Sequence, residues 1–454
     1  MMRRKKQRAL SRAFLLWAAL ALAMPAFGFA TPQAPPSASE SAVTAPTDAA
    51  KPSLEDYALS PQVREKAVEY SHIRYVLYFA GVVLSLGIYL LLWTERVGVD
   101  LRSVAGKIST RRFVQTLIFV PLFLALVSVL KFPLVYYSDF AIERRFGLST
   151  QTFLGWLADW GKSFAITALF LTLVIWGLYV LIRRSPRRWW FYFWLFTIPV
   201  TLAVILLQPL VIDPLFFKFT PLEKTRPELT TRIEEMLDRA GLDIPRSRIY
   251  EMNASSKTTA VNAYVTGIGA SKRLVIWDNT LKKLTPDETL LVVGHETGHY
   301  ALHHIPKIFA LVELVSFVFI FVGFVMVEKL VARWGGRTRL EGVGDLASLP
   351  VLFLALTVIT FLANPAICAI SRHYEHQADQ YGLEVAHGIV PDVNAADARS
   401  FQILGEENLA DPDPSAFIRF WLYTHPPLEE RIRFALSYKP WAEGKPLQLV
   451  HPRE

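Results

Sequence analysis

A single cysteine, Cys368, in 454 residues excludes an intrachain disulfide and a thiolate-bound metal. No internal repeat recurs along the chain. No basic patch with interleaved aromatics lies outside its apolar runs, so the net charge of +8 does not argue for a nucleic-acid partner. What the chain has in quantity is apolar sequence: 52% of its residues, with 12 Trp and 30 Phe. A bilayer core is crossed by about 20 helical residues. Seven runs approach that length with few charges, at about 13–30, 73–93, 113–133, 163–182, 189–211, 305–327 and 347–370. The chain therefore reads as a polytopic membrane protein with the lipid bilayer as one partner.

The first run follows MMRRKKQRALSR and ends on small residues. That is the pattern of a signal peptide, residues 1–30, cleaved after Ala30; retention as a first span fits the same residues. The Pro/Ala/Ser-rich stretch behind it reads as a linker over 31–72, and its first part, 31–52, has too little apolar surface to fold. Four spans then fill 73–211, a polar segment covers 212–304, two spans joined by a basic loop cover 305–370, and a second polar segment runs over 371–454. Lys and Arg concentrate in cytoplasmic loops. Loops 94–112, 183–188 and 328–346 carry 13 of them, while the alternate segments 31–72 and 134–162 carry 6. The two large polar segments are thus expected on the outer face. With the signal-like N-terminus, that is the periplasmic side of a bacterial inner membrane.

The stretch VVGHETGHYALHH, residues 292–304, offers four histidines and a glutamate within ten residues. Upstream, Thr285 suits an N-cap, Pro286 the first helical position, and Glu288 completes a capping box with Thr285. A helix starting at about 286 carries His295 and His299 one turn apart on one face. Two imidazoles so spaced reach one ion about 2.1 Å away, and Glu296 beside the first ligand can take a proton from the attacking water. This is the H-E-x-x-H pattern of metalloproteases. His303 cannot join the same ion: it lies roughly 12 Å from His295 along the axis at ~1.5 Å per residue. His303 and His304 read as interfacial or supporting groups. The branch with a third histidine, H-E-x-x-H-x-x-G-x-x-H, fails, because Leu302 and Ile305 hold its last two positions.

A third ligand must come from elsewhere. In SRHYEHQADQYG, residues 371–382, Glu375 and Asp379 stand i, i+4 on a second helix. One carboxylate there would complete three protein ligands and leave the fourth position of a catalytic zinc open. Asp379, one turn on, could accept the free N–H of a ligating histidine. His373 and His376 are rival ligands.

At this point the chain resembles the type I CAAX prenyl proteases, integral-membrane zinc metallopeptidases. The resemblance runs from about residue 113, through SDFAIERRFGLS (138–149), IDPLFFKFTPL (212–222), VNAYVTGIGASKRLVIWDNTL (261–281), GHETGH (294–299), SRHYEHQAD (371–379) and YTHPPLEERI (423–432). It implies a mainly α architecture: about seven transmembrane helices around a chamber, capped by an α+β zinc metallopeptidase domain. It also implies one Zn2+ held by His295, His299 and Glu375, with Glu296 as general base. Asp379 matches a supporting carboxylate, and His425 and Arg431 match positions that bind substrate or stabilise the transition state. Asn262 and Ala263 match positions that bind substrate. Their segment also has its own reading: Val261, Tyr264 and Val265 favour a strand, and an edge strand pairs with an extended peptide. Without the family, those two residues read as plain strand and His425 as a turn histidine. Thr297, often apolar in the family, is placed on a surface that touches no metal. Eukaryotic members carry the site on the cytosolic side, so the outward orientation is a departure.

The expected activity is metal-assisted hydrolysis of peptide bonds in membrane-associated or extended polypeptides. A transporter or chaperone-like protein with a structural zinc is the alternative. Candidate intramembrane charges are few, with Lys131 and Glu313 near span ends or within a span, and no paired broken helices accompany them. Glu296 speaks against a protein that binds without cutting, since holding zinc does not need that carboxylate.

Overall fold

The computed structural model describes residues 53–450 except residue 268. The run at 13–30 and the linker's first part lie outside the described residues. In chain order the helices are α1 (Pro61–Thr94), α2 (Val97–Ile108), α3 (Arg112–Tyr136), α4 (Phe153–Arg184), α5 (Trp189–Leu207), α6 (Pro227–Arg239), α7 (Pro286–Ala301), α8 (His304–Thr338), α9 (Leu349–Ala386), α10 (Val393–Glu407), α11 (Ala416–Leu422) and α12 (Leu428–Ser437). Six are long and apolar enough to cross a membrane: α1, α3, α4, α5, α8 and α9. The π turns Tyr137–Ala141 and Gln208–Ile212 continue α3 towards Arg145 and α5 towards Leu215.

All six expected runs within the described residues are spans, but several helices outrun them. The first begins at Pro61, inside the stretch read as linker, with Ser60 as its N-cap. The last continues unbroken from the span to Ala386, past Glu375 and Asp379. Hydropathy marks only the part of a helix at membrane depth. The polar turns beyond it stay helical because they pack on protein: Ala67 and Tyr70 near the start of α1 are buried, as are Ala378 and Leu383 on α9. α5 and α8 differ from the others. Only 6% of each central window is buried, against 50% for α9, and they pack chiefly on each other and on their neighbours α4 and α9. They form a single-layer wall, as spans set around a chamber do.

The two ends of the bundle are tied differently. At one end the basic loops meet: Arg102 on α2 pairs with Asp345 at 2.5 Å, and Trp93 Nε1 donates to Thr338 at 3.0 Å. At the other end the spans hold a small region of mixed helix and strand. Tyr70 of α1 donates to Glu143 at 2.7 Å, and Thr150 N donates to the Lys257 carbonyl.

That region contains a four-stranded sheet of β1 (Phe219–Pro221), β2 (Ile249–Met252), β3 (Ala263–Thr266) and β4 (Arg273–Trp277), in the order β1-β2-β4-β3. β2 and β4 are parallel and the other pairs antiparallel. Ile233 and Met236 of α6, Ile249, Leu274 and Ile276 of the sheet, Leu290 and Val293 of α7, and Leu383 and Val385 of α9 share one buried core. α7 crosses α9 backbone to backbone at two glycines. A Cβ on Gly382 would sit 3.0 Å from His295 N, and one on Gly294 would sit 3.2 Å from Gly382 Cα. Only glycine at both positions lets the two helices come this close.

Candidate active site

α7 begins where its capping box puts it. The Glu288 amide donates to Thr285 Oγ1 at 3.3 Å, and the Thr285 amide donates to Glu288 Oε2 at 2.8 Å. The helix presents His295 and His299 towards α9, where Glu375 meets them. One ligand atom from each of the three lies within 4.8 Å of the others. The two Nε2 atoms are 3.3 Å apart, Glu375 Oε2 is 3.2 Å from His295 Nε2, and Glu375 Oε1 is 3.7 Å from His299 Nε2. Three electron-pair donors converging in a buried place fit a divalent cation, and two imidazoles with one carboxylate leave a fourth coordination position open. His373 and His376 stand outside this cluster; their rings lie against Tyr374 and Phe434.

Asp379 lies one turn beyond Glu375, buried, with Oδ1 2.8 Å from His295 Nδ1. Arg431 of α12 grips the same carboxylate with two donors, Nε to Oδ2 at 2.9 Å and Nη2 to Oδ1 at 2.5 Å, and stacks over Phe401 of α10. Arg431 borders the cleft, yet its guanidinium is committed to Asp379. It was expected to bind substrate or stabilise the transition state; in the structure it also backs the His295–Asp379 pair, because a buried carboxylate draws the nearest cation. His425 is half-exposed, with Nε2 3.1 Å from Glu375 Oε2 and Nδ1 3.0 Å from Thr424 Oγ1.

The electrostatics separate the two imidazoles, His295 and His299. Burial resists protonation of His295, but its bonds to Asp379 and Glu375 outweigh that and push its pKa up to about 10. Burial, joined by the charge on His295, drives His299 down to about 3, so its ring stays neutral. A metal entering here displaces a proton from His295. Burial raises Glu296 to about 7, with Glu375 adding to the rise and His295, Arg431 and the Val265 N–H opposing it.

These groups line a cleft of about 660 Å³ that also takes in Tyr70, Arg74 and Tyr75 of α1 and Asp397 of α10. β3 is an edge strand of the sheet, and Ala263 and Tyr264 on it line the cleft. The Trp277 amide donates to the Asn262 carbonyl at 3.0 Å, so alternation turns the main-chain groups of Ala263 and Val265 away from β4. Asn262 is different: its amide and carbonyl both bond Thr280, and its Oδ1 accepts from the Ala263 amide. Thr297, expected on a surface, is fully buried in α7, and its Oγ1 has no hydrogen-bond partner. Asp397, Tyr70, Arg74 and Tyr75 were not expected here. Nothing in their local sequence marks them, since they arrive on helices far away in the chain.

A wall of membrane helices with an H-E-x-x-H helix, a third carboxylate and an edge strand in one cleft defines a membrane-embedded metallopeptidase. Comparison with known proteins bears this out. Residues 223–439 match the family model described as peptidase family M48, and residues 43–218 match one described as CAAX prenyl protease N-terminal, five membrane helices. The chain is 37% identical over 381 residues to the uncharacterized metalloprotease YhfN of Bacillus subtilis, covering 83% of this chain and 86% of that one. It is 27% identical to a CAAX prenyl protease 1 homolog of Homo sapiens over 72% and 74% of the two chains. The crystal structure of S. mikatae Ste24p superposes with a TM-score of 0.72 at 24% identity, covering 86% of this chain and 92% of that one. The chain belongs to the M48 family of peptidases.

Proposed function

We propose that the protein is a zinc endopeptidase that cuts extended or membrane-associated polypeptides, with its site on the outer face of a bacterial inner membrane. The observation that carries this reading is the convergence of His295, His299 and Glu375 beside Glu296 and the β3 edge in one cleft. The polar segments 212–304 and 371–454 form the peptidase domain, and the two spans between them bring its halves together. The excess of basic residues in the loops tied by Arg102 and Trp93 supports the outward orientation.

In this reading His295, His299 and Glu375 hold the zinc. When bound, it supplies a Lewis acid that polarises the scissile carbonyl and acidifies water. The substrate lies as an added strand against β3, meeting the outward carbonyl of Ala263 and the exposed Asn262 side chain. Glu296 takes the proton of the attacking water and passes it to the leaving amine. His425, exposed at the rim beside Glu375, turns to the developing oxyanion. Arg431 and Asp379 keep the His295 ring in place. Homologues carry the name CAAX prenyl protease 1, and a chamber beside the cleft suits substrates with an apolar tail.

The test is detergent-purified protein incubated with a mixed peptide library. Cleavage should stop on adding a chelator and return with zinc. Cleavage indifferent to chelation would overturn the metal reading. For orientation, residues 371–450 should be cut by external protease in spheroplasts; full protection would place the site inside.

A further inference from the structure

The Asp379 carboxylate accounts for the orientation of one ligand imidazole only. His299 has no carboxylate behind it. Instead its Nδ1 lies 3.1 Å from His304 Nδ1, and His304 Nε2 lies 3.1 Å from Gln377 Oε1. His304 is completely buried, against the ring of Tyr374 at 4.6 Å between centroids. It reaches this place because His303 between α7 and α8 takes a left-handed conformation, φ 56°, and turns the chain in a single residue. A non-glycine residue in that region carries a conformational cost, and here the turn delivers His304 to His299.

We propose that Gln377 and His304 form a neutral positioning relay that fixes the tautomer of His299 and so presents its Nε2 lone pair to the metal. The inference rests on the metal reading above. An amide oxygen only accepts, so His304 carries its proton on Nε2. A neutral imidazole then has its lone pair on Nδ1, and His299 must donate from its own Nδ1. That leaves His299 Nε2 bare, facing the Nε2 of His295. The two ligands are thus aimed by different chemistry: His295 by a charged carboxylate, His299 by a neutral chain. The neutral chain adds no further negative charge to a cleft that already holds Glu296 and Glu375, with Asp379 behind His295.

The test uses full-length protein in detergent and measures zinc dissociation by chelator competition and the visible spectrum of the cobalt-substituted form, beside kcat and KM. Gln377 is only partly buried, so its variants are the first choice, with melting temperature as the folding control. Gln377→Leu should weaken zinc about 10–100-fold, shift the cobalt spectrum, and lower kcat more than it changes KM. Gln377→Glu, which also only accepts, should stay close to the unaltered protein. His304→Asn, whose Oδ1 stands where Nδ1 stood, should recover most of the affinity that His304→Leu loses. The relay is refuted if Gln377→Leu binds zinc normally, or if Gln377→Glu is as weak as Gln377→Leu. In the first case, zinc loss in His295→Ala would leave the metal reading standing. If the unaltered chain binds no zinc, both readings fall.

Discussion

Glu296→Gln retains its metal and loses peptide cleavage by roughly 10²–10⁴-fold in kcat, the usual contribution of a positioned general base. The side chain is not one of the three converging ligands, so removing its charge does not remove a metal contact. The pKa of its carboxyl is raised by burial, with the Val265 amide of an edge strand among the groups opposing the rise. The amide of Gln keeps the size and most of the polarity but takes no proton from water. Metal content and kcat measured on the same preparation decide the matter. A variant that cuts at the normal rate ends the general-base assignment, and one that loses metal shows that Glu296 supports the ligand shell.

Arg431→Met is expected to cost roughly 3–5 kcal/mol of stability, the range for removing one partner of a buried ion pair. Asp379 is left with its charge, buried, against the Nδ1 of His295 alone. Melting temperature and zinc retention should therefore fall together. Arg431→Lys should not restore either, because an ammonium cannot reproduce the two-donor fork on Asp379 or the stack over Phe401. The alternative role, direct contact with substrate, makes the opposite prediction. Normal melting and normal zinc with a depressed kcat would show that the guanidinium leaves Asp379 during turnover.

Much of the site can be read from the sequence because its parts are local. The capping box of Thr285 and Glu288 fixes where α7 starts, and helical spacing then puts His295 and His299 on one face. Glu375 needs more. Its i, i+4 partner Asp379 hints at a helix, but that this helix is the continuation of a membrane span follows only from the packing of α7 on α9 at Gly294 and Gly382. His304 falls in between. The residue is visible in the motif, while its direction depends on a left-handed turn at His303, a residue type that gives no such signal. Arg431 is placed at the site by resemblance; that its guanidinium binds Asp379 is legible only in the structure, because the burial of Asp379 is a tertiary fact. Asp397 and the α1 residues of the cleft lie beyond any local pattern.

The unbroken run of α9 has a mechanical side. From its first residue, Leu349, Glu375 lies about 39 Å along the axis at ~1.5 Å per residue. The third ligand and its neighbour Asp379 thus ride on the tip of a rod whose shaft is seated in lipid, while the other two ligands belong to a helix outside it. A bilayer thicker or thinner than the span changes its tilt. Because α7 packs on α9 backbone to backbone at Gly294 and Gly382, such a tilt would carry both halves of the candidate metal site together and set its height above the lipid.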